Sequence, residues 1–243
     1  MISNWDEIFT KYVNRLKSPD GRDTYESTPR LVEKIITVSE LQQSCSVVEI
    51  GSGWGNVTKE LSLKSKKVIG IEPDRNNINE AQSRIARNKI NNVEFIRGSF
   101  EKPNYKEKVD RVISSLTFHQ VIYNKKEKAL KNVKELIKDN GKFVLCDTMM
   151  FFNVENEKEK FNIIYRYLLE KTTPEDIYEK YIKPKMEDET YIYTWEDMKK
   201  YTPKKEWYYF IQDLEKMLSR IGLRIDKIEE LCPFFGILVI ENK

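Results

Sequence analysis

Several features that mark whole classes of protein are missing from this chain. Its cysteines are only three, Cys45, Cys146 and Cys232, and they lie too far apart for a disulfide framework or a Cys-x-x-Cys metal site. The N-terminus has no basic segment followed by an apolar one, so we expect no signal peptide. No apolar stretch approaches membrane-spanning length. These absences predict a protein of the reducing cytoplasm, without a membrane partner.

An excess of charge of one sign is also missing. The chain has 42 basic and 39 acidic residues, a net charge of +3. This balance gives no electrostatic reason to expect nucleic acid, which usually needs a clustered basic face, although a local patch would be hidden in the total. Apolar residues make up 40% of the 243 residues and charged ones 33%. Such a composition is typical of a globular α/β domain with a charged surface.

Short apolar runs alternate with helical patterns through much of the chain. The predicted strands lie at residues 46–50, 67–72, 93–96, 109–115 and 142–147. A helix is predicted over residues 125–138, ended by a left-handed cap at Asn140-Gly141. Strands that alternate with helices at this spacing predict βαβ units and a parallel sheet.

The two ends depart from this alternation. Apolar residues at helical spacing predict an amphipathic helix over residues 1–17, and a second helix from Pro29 completes an N-terminal helical segment over residues 1–40. We expect one domain over residues 1–243, with its core at residues 41–148. Residues 149–210, rich in aromatic and charged side chains, predict a helical insertion that forms a lid over the site. Residues 211–243 predict a final helix and two antiparallel strands.

Glycines cluster where the first predicted strand meets the next helix, in Glu49-Ile50-Gly51-Ser52-Gly53-Trp54-Gly55. Glycines let the backbone turn sharply and approach a ligand closely, and a helix N-terminus offers N–H groups to that ligand. Glu72 closes the second strand, where a carboxylate can accept hydrogen bonds from both hydroxyls of a ribose. The alternative is a tight turn without a ligand, but this context favours a nucleoside site.

Binding of NAD is the competing interpretation of the loop. The dinucleotide fingerprint Gly-x-Gly-x-x-Gly needs its third glycine at position 56, where this chain has Asn56. The glycines stand instead at positions 51, 53 and 55, after an acidic residue. This spacing favours a ligand with one nucleoside and no pyrophosphate.

With these motifs the chain resembles the class I S-adenosylmethionine (SAM)-dependent methyltransferases. Within them it looks like the small-molecule branch related to the ubiquinone and menaquinone biosynthetic enzymes. The resemblance covers residues 46–147. It implies a Rossmann-like α/β fold with helices on both faces of a seven-stranded, mostly parallel sheet of order 3-2-1-4-5-7-6, whose last strand is antiparallel. It also implies SAM as cofactor and S-adenosylhomocysteine as product.

The resemblance assigns residues to the cofactor site. It implies that the glycine loop holds the methionine and ribose portions of SAM and that Glu72, next to Pro73, binds the ribose hydroxyls. Ser99 stands where the family has an acidic residue near the adenine amino group, and Phe100 would cover the adenine. The implied cofactor-binding residues are Glu49, Gly51, Ser52, Gly53, Trp54, Gly55, Glu72, Pro73, Ser99, Phe100, Ser115 and Leu116.

His119, the single histidine, follows the fourth strand beside the expected methyl site. It could take a proton from a hydroxyl or amine acceptor, or it could shape the pocket through a hydrogen bond to a loop. Tyr12 resembles a tyrosine of the family's N-terminal helix that covers SAM, so Tyr12 and His119 are the candidate substrate contacts. Because the sulfonium carries an activated methyl group, we expect no metal.

The predicted function is methyl transfer from SAM to a small-molecule acceptor by in-line displacement. One alternative is an RNA or tRNA methyltransferase, which needs a basic face beside the pocket. Another is a SAM-binding protein without catalysis. The aromatic residues of the insertion are either its own core or part of an acceptor surface. They include Tyr165, Tyr167, Tyr191, Tyr193, Trp195, Trp207, Tyr208 and Tyr209.

Overall fold

Two sheets organise the chain in a computed structural model that describes residues 2–17, 23–188, 192–202 and 205–243. Strands β1 (Val13–Lys17) and β2 (Asp23–Ser27) form a separate antiparallel hairpin. The central sheet contains β3 (Ser46–Ile50), β4 (Lys67–Glu72), β5 (Val93–Arg97), β6 (Val109–Ser115), β7 (Ile137–Thr148), β8 (Leu223–Cys232) and β9 (Phe235–Asn242).

The central sheet confirms the predicted Rossmann-like topology. Its order is β5-β4-β3-β6-β7-β9-β8, which becomes 3-2-1-4-5-7-6 when the seven strands are numbered from β3. Strand β9 runs antiparallel to both β7 and β8, and the other neighbours are parallel. The carboxyl ends of the parallel strands therefore share one edge, where ligands bind in sheets of this kind.

Helices cover both faces of the central sheet. They are α1 (Ile2–Tyr12), α2 (Pro29–Ser39), α3 (Asn56–Ser62), α4 (Arg75–Arg87), α5 (Lys126–Leu136), α6 (Lys158–Thr172), α7 (Glu175–Ile177), α8 (Lys183–Glu187), α9 (Trp195–Lys200) and α10 (Ile211–Arg220). In the described ranges, none of them combines the length and apolar character needed to cross a membrane.

Alternate residues of the central strands face two separate hydrophobic cores. Val47 and Val144 point to one core, shared with α1, α2 and the residues after β7, whereas Val48 and Leu145 point to the other, shared with α5 and α10. All four side chains are fully buried. Burial on both faces explains why these strands appear in the sequence as continuous apolar runs.

The N-terminal segment corrects one prediction. Helix α1 ends at Tyr12 and residues 13–17 form β1, so the helix predicted over residues 1–17, and with it an all-helical segment over residues 1–40, is wrong. Arg15 Nη1 and the Tyr25 hydroxyl both donate to the Lys171 carbonyl, at 3.3 and 3.1 Å. This contact holds the hairpin against a segment distant in sequence. Helix α2 does begin at Pro29, with Thr28 as its cap.

A second correction concerns the end of α5. This helix ends at Leu136, and Asn140 and Gly141 lie inside β7 rather than in a left-handed cap. Pairing with β6 already begins at Ile137, opposite Val109. The chain therefore enters β7 at Ile137, although the helical pattern of the sequence continues to residue 138.

The insertion between β7 and α10 is mainly helical, as predicted. Its aromatic rings pack on one another: Phe161 and Tyr165 stack with centroids 5.5 Å apart, and Trp195 meets Phe161 edge-on at 5.6 Å. Tyr191 lies outside the described residues. The rings thus pack on one another and extend the core that Val47 and Val144 face.

The three cysteines are free and buried. Cys45 precedes β3, Cys146 lies within β7, and Cys232 ends β8 at the margin of the sheet. Burial raises the pKa of Cys232 to about 12 and raises the pKa of Cys146 even further. These thiols are therefore unreactive in the folded protein.

Candidate active site

The glycine loop after β3 is closely packed on one side and open on the other. Gly51 and Gly53 have φ values of +81° and +52°, in the left-handed region that favours glycine. A Cβ on Gly51 would lie 2.3 Å from Thr117 Oγ1, whereas a Cβ on Gly53 would meet no atom of the described part of the chain within 4 Å. The loop therefore packs against the turn after β6 and leaves space in front of Gly53.

The Glu72 carboxylate, at the end of β4, is tied to this loop. Its Oε2 accepts the N–H of Gly53 at 3.0 Å, and its Oε1 accepts the N–H of Asp74 and the amide of Asn77, both at 3.1 Å. Asn77 Oδ1 in turn accepts the Trp54 indole N–H at 3.0 Å. Glu72 thus fixes the loop and the start of α4 together.

A cavity of about 70 Å³ lies against the loop. Seven of the predicted cofactor-binding residues line it: Glu49, Gly51, Ser52, Gly53, Trp54, Ser115 and Leu116. Five others do not line it: Gly55, Glu72, Pro73, Ser99 and Phe100. Phe100 packs edge-on against Phe118 in the core, with centroids 5.1 Å apart, and Ser99 forms a tight turn with Lys102.

Strand β2 closes this smaller cavity, which the sequence did not indicate. Tyr25, Glu26 and Ser27 all line it. The Ser27 and Ser115 hydroxyl oxygens lie 2.8 Å apart, and the Asn56 side-chain amide donates to the Glu26 carboxylate. Nothing in the sequence of the strand marks these residues as part of a site. Asn56, which also lines the cavity, did have a sequence signal, because it stands where the dinucleotide fingerprint has its third glycine.

Glu49 is a buried acid in the wall of the smaller cavity. Burial raises its pKa to about 8, the hydrogen bond from the Thr58 hydroxyl opposes this rise, and the charge of Glu72 adds to it. This environment therefore favours the protonated form of Glu49 near neutral pH.

A larger cavity of about 380 Å³ adjoins the first, and Tyr25 and Leu116 line both. Its other walls come from α1, the turn after β6, the end of β7, the end of α6 and residues 205–208. Leu116 has a φ of +56°, a conformation that costs a non-glycine residue roughly 1–2 kcal/mol. Tyr12 lines neither cavity, because its ring packs 6.5 Å from Phe235 in the core.

His119 lies in the wall of the larger cavity, held by a carboxylate that the sequence analysis did not single out. Its Nδ1 is 2.5 Å from Asp147 Oδ1, and its backbone N–H donates to Asp147 Oδ2 at 2.7 Å. The Tyr209 hydroxyl donates to the same Oδ2 at 3.0 Å. The only signal for Asp147 was an acidic residue at the carboxyl end of an apolar strand.

Two carboxylates determine the charge state of His119. Burial lowers the pKa of the imidazole, but the charge and hydrogen bond of Asp147, together with the charge of Glu206, hold the pKa above its usual value. Glu206 Oε1 lies 3.9 Å from His119 Nε2. The arrangement is that of an imidazole positioned to exchange a proton with a ligand in the cavity.

Comparison with known proteins identifies the family. The family described as methyltransferase domain matches residues 41–213, well over half of the chain. The chain is a class I SAM-dependent methyltransferase. The predicted family is thereby confirmed, while its ubiquinone and menaquinone branch stays a prediction.

Relatives and structural neighbours agree with this family. An uncharacterized methyltransferase of Alkaliphilus oremlandii is 29% identical over 160 residues, which cover 65% of this chain and 71% of that relative. One from Staphylococcus carnosus is 24% identical over 230 residues, covering 95% and 92%. A SAM-dependent methyltransferase from Aquifex aeolicus has the same fold, with a TM-score of 0.57 at 16% identity, covering 86% and 88%.

In this methyltransferase a buried lysine supports the turn that carries His119. Lys126 is fully buried and its Nζ donates to the Phe118 carbonyl at 2.8 Å. The same Nζ lies 4.6 Å and 4.7 Å from the ring centroids of Phe118 and Tyr209. Burial lowers the pKa of Lys126 to about 7. This side chain therefore links the start of α5 to the turn.

Proposed function

We propose that this methyltransferase transfers the methyl group of SAM to a small-molecule acceptor. SAM would bind at the glycine loop and the acceptor in the larger cavity. The observation that carries the proposal is the shared wall: Tyr25 and Leu116 line both cavities, and His119 lies on the acceptor side. A donor and an acceptor in these cavities would be neighbours, which is what methyl transfer requires.

The residues of the smaller cavity suit SAM chemically. Ser52 Oγ is buried and has no hydrogen-bond partner among the described residues, and the space in front of Gly53 leaves its backbone accessible. Glu72 lies behind this lining and accepts three hydrogen bonds, and since a carboxylate has about four lone-pair sites, it retains capacity for a ribose hydroxyl that reaches it. The structural neighbour from Aquifex aeolicus is itself SAM-dependent.

The space at the loop requires β2 to move. The smaller cavity measures about 70 Å³, whereas pockets for ligands of this size measure roughly 300 Å³ or more. Because Tyr25, Glu26 and Ser27 close the cavity, we propose that the hairpin is displaced when SAM enters. Its contacts with the core through Ser27 and Glu26 are single hydrogen bonds, which such a movement would exchange for contacts with the ligand.

The larger cavity supports a small-molecule acceptor rather than RNA. Its volume of about 380 Å³ falls in the range of small-molecule pockets, roughly 300–1,000 Å³. The insertion covers it through Thr172, Ile177 and Tyr208. When bound, SAM supplies the activated methyl group. Asp147 holds His119 Nδ1, so that Nε2 can accept a proton from the acceptor, a step worth about 10²–10⁴-fold in rate.

Calorimetric titration of the purified chain with SAM, S-adenosylhomocysteine and NAD tests the cofactor. We expect both sulfur ligands to bind and NAD not to bind. Binding of NAD alone would overturn the proposal. Transfer of a labelled methyl group from SAM to members of a small-molecule library then tests catalysis. If SAM binds but no acceptor is labelled, the result favours a SAM-binding protein without catalysis.

A further inference from the structure

Lys126, the first residue of α5, occupies a place where a charged side chain is doubly unfavourable. It is fully buried, although an ammonium taken out of water is costly unless it is well paired. It also begins a helix, where the positive end of the helix dipole opposes a cation. A methionine would fill the same space without either cost. A position that breaks local rules in this way is typical of a functional site.

The Lys126 ammonium contacts both supports of the His119 imidazole. Its Nζ donates to the Phe118 carbonyl at 2.8 Å, one residue before His119. The same Nζ lies 4.7 Å from the ring centroid of Tyr209, whose hydroxyl donates to Asp147 Oδ2 at 3.0 Å. Lys126 thus touches the backbone that carries the imidazole and the tyrosine that holds its carboxylate.

Charges of both signs surround this imidazole. Burial lowers the pKa of His119, Asp147 and the charge of Glu206 raise it, and the charge of Lys126 opposes that rise, with a net shift upward. Glu206 is also engaged in other contacts, among them the Tyr208 hydroxyl at 2.7 Å. The imidazole must therefore lose a tightly held proton before it can accept one from an acceptor.

The titratable side chains that approach the imidazole or line its cavity come from four parts of the chain: Tyr25 of β2, Lys126 of α5, Asp147 of β7, and Lys205, Glu206 and Tyr208 before α10. Asp147 interacts with both cations of this group. Burial lowers the pKa of Lys126 to about 7, and the charge of Asp147 opposes that change. Two cations that share one buried carboxylate disfavour each other's protonation.

Resting on the proposed function, we infer that Lys126 is a positioning residue of the site: its hydrogen bond holds the turn of His119, and its charge, near Asp147, makes the imidazolium easier to deprotonate. Lys126 lines neither cavity, so it acts only through His119. The proton leaves from Nε2, because Nδ1 faces Asp147, and passes to water in the larger cavity. Without Lys126, the imidazolium would be the closest cation to Asp147 and would hold its proton more tightly.

The single histidine of the chain permits a direct test. In protein prepared without a histidine tag, the imidazole C–H signals in an NMR spectrum belong to His119, and their change with pH gives its pKa. We expect Lys126→Met, which removes the ammonium but keeps a long unbranched side chain, to raise this pKa by at least about half a pH unit. Lys126→Gln, which removes the charge but keeps an N–H donor, should raise it similarly. An unchanged pKa in both variants would overturn the inference.

Lys128→Met is the matched control, since it makes the same change at an exposed position of the same helix, and it should keep the wild-type pKa of His119. Affinity for S-adenosylhomocysteine reports folding and should stay as in wild type in all three variants. If Lys126→Met loses this affinity, Lys126→Gln decides the question. If both lose it, Lys126 is a structural residue and the inference fails.

The pH profile of methyl transfer supplies a second readout once screening has found an acceptor. In Lys126→Met the acidic limb of kcat/KM should move to higher pH together with the pKa of His119, and the rate should recover above it. A merely structural loss would lower the rate at every pH and would contradict the inference.

Failure of the inference differs from failure of the proposed function. If the wild-type chain binds no S-adenosylhomocysteine, the proposed function fails, and thermal unfolding then reports folding while the titration of His119 still tests Lys126. If the wild-type chain methylates an acceptor but the pKa of His119 does not respond to the Lys126 variants, only the role of Lys126 is wrong.

Discussion

The two cavities of the site share a wall but are built in different ways. The smaller one is formed largely by one continuous loop, and its fixed contacts are backbone N–H groups held by Glu72. The larger one is formed by side chains from six separate parts of the chain, with His119 and Glu206 brought together from positions 87 residues apart in sequence (206 − 119). The first depends on local backbone geometry and the second on the packing of distant segments.

This difference separates two kinds of change. A substitution in the glycine loop alters a backbone conformation on which every ligand at that cavity depends. A substitution in the larger cavity alters one side chain and leaves the neighbouring walls in place. We therefore expect the acceptor to be the part of the reaction that sequence changes can alter without loss of cofactor binding.

Replacement of Gly53 gives the largest expected effect and confines it to the cofactor side. A Cβ at this position points into open space, so the side chain in Gly53→Arg would occupy the place of the ligand. SAM affinity should fall at least about 1,000-fold, or about 4 kcal/mol, in calorimetric titration. Gly53→Ala is the control, since its methyl group meets no neighbour and only the left-handed backbone opposes it. Unchanged affinity in Gly53→Arg would place SAM elsewhere.

Asp147→Asn should show the converse pattern, with catalysis lost and cofactor binding kept. An amide that donates to His119 Nδ1 would leave the proton on Nε2, which then cannot accept another. We expect kcat for the acceptor found by screening to fall about 100-fold or more, with SAM affinity as in wild type. Asp139→Asn, on the exposed part of the same strand, is the control. A variant with normal kcat would remove His119 from the proton transfer.

Glu49→Gln is the change that we expect to alter SAM binding least, and its effect is measured on stability. Because the folded pKa of Glu49 is raised from 4.5 to about 8, the folded chain keeps a proton that the unfolded chain loses across this range. Wild-type stability should therefore fall between pH 5 and pH 8.5 relative to the variant, by about 4 kcal/mol. Urea unfolding at pH 5 and pH 8.5 measures the difference. Parallel pH dependence of the two proteins would mean that Glu49 is ionised throughout.

The central sheet and the glycine loop could be predicted because their determinants are local. A strand buried on both faces leaves a short apolar run such as residues 67–72, and a loop with left-handed backbone leaves glycines such as Gly51 and Gly53. Glu72 follows from the register, since parallel neighbours end at the same edge. These signals lie within a few residues of the structures that they specify, which is why the sheet order agrees with the prediction.

The hairpin and the acceptor side could not be predicted because distant contacts specify them. Arg15 and Tyr25 donate hydrogen bonds to the Lys171 carbonyl, and no local sequence pattern indicates that contact. The apolar character of Phe100 does not reveal whether it faces a ligand or a core, and here it faces Phe118. The ring of Tyr12 likewise packs against Phe235 and does not line a cavity. Side-chain type alone thus specifies burial, but it does not specify the partner.

The three buried thiols give this enzyme an internal reporter of its own opening. A thiol reagent reacts only with a thiolate that solvent reaches, so the rate at which each cysteine is labelled measures how often its surroundings open. Cys146 lies in an interior strand and Cys232 at the end of the edge strand. Mass spectrometry of the labelled peptides would therefore compare the local stability of the middle of the sheet with that of its margin, in the unmodified protein and with each ligand in turn.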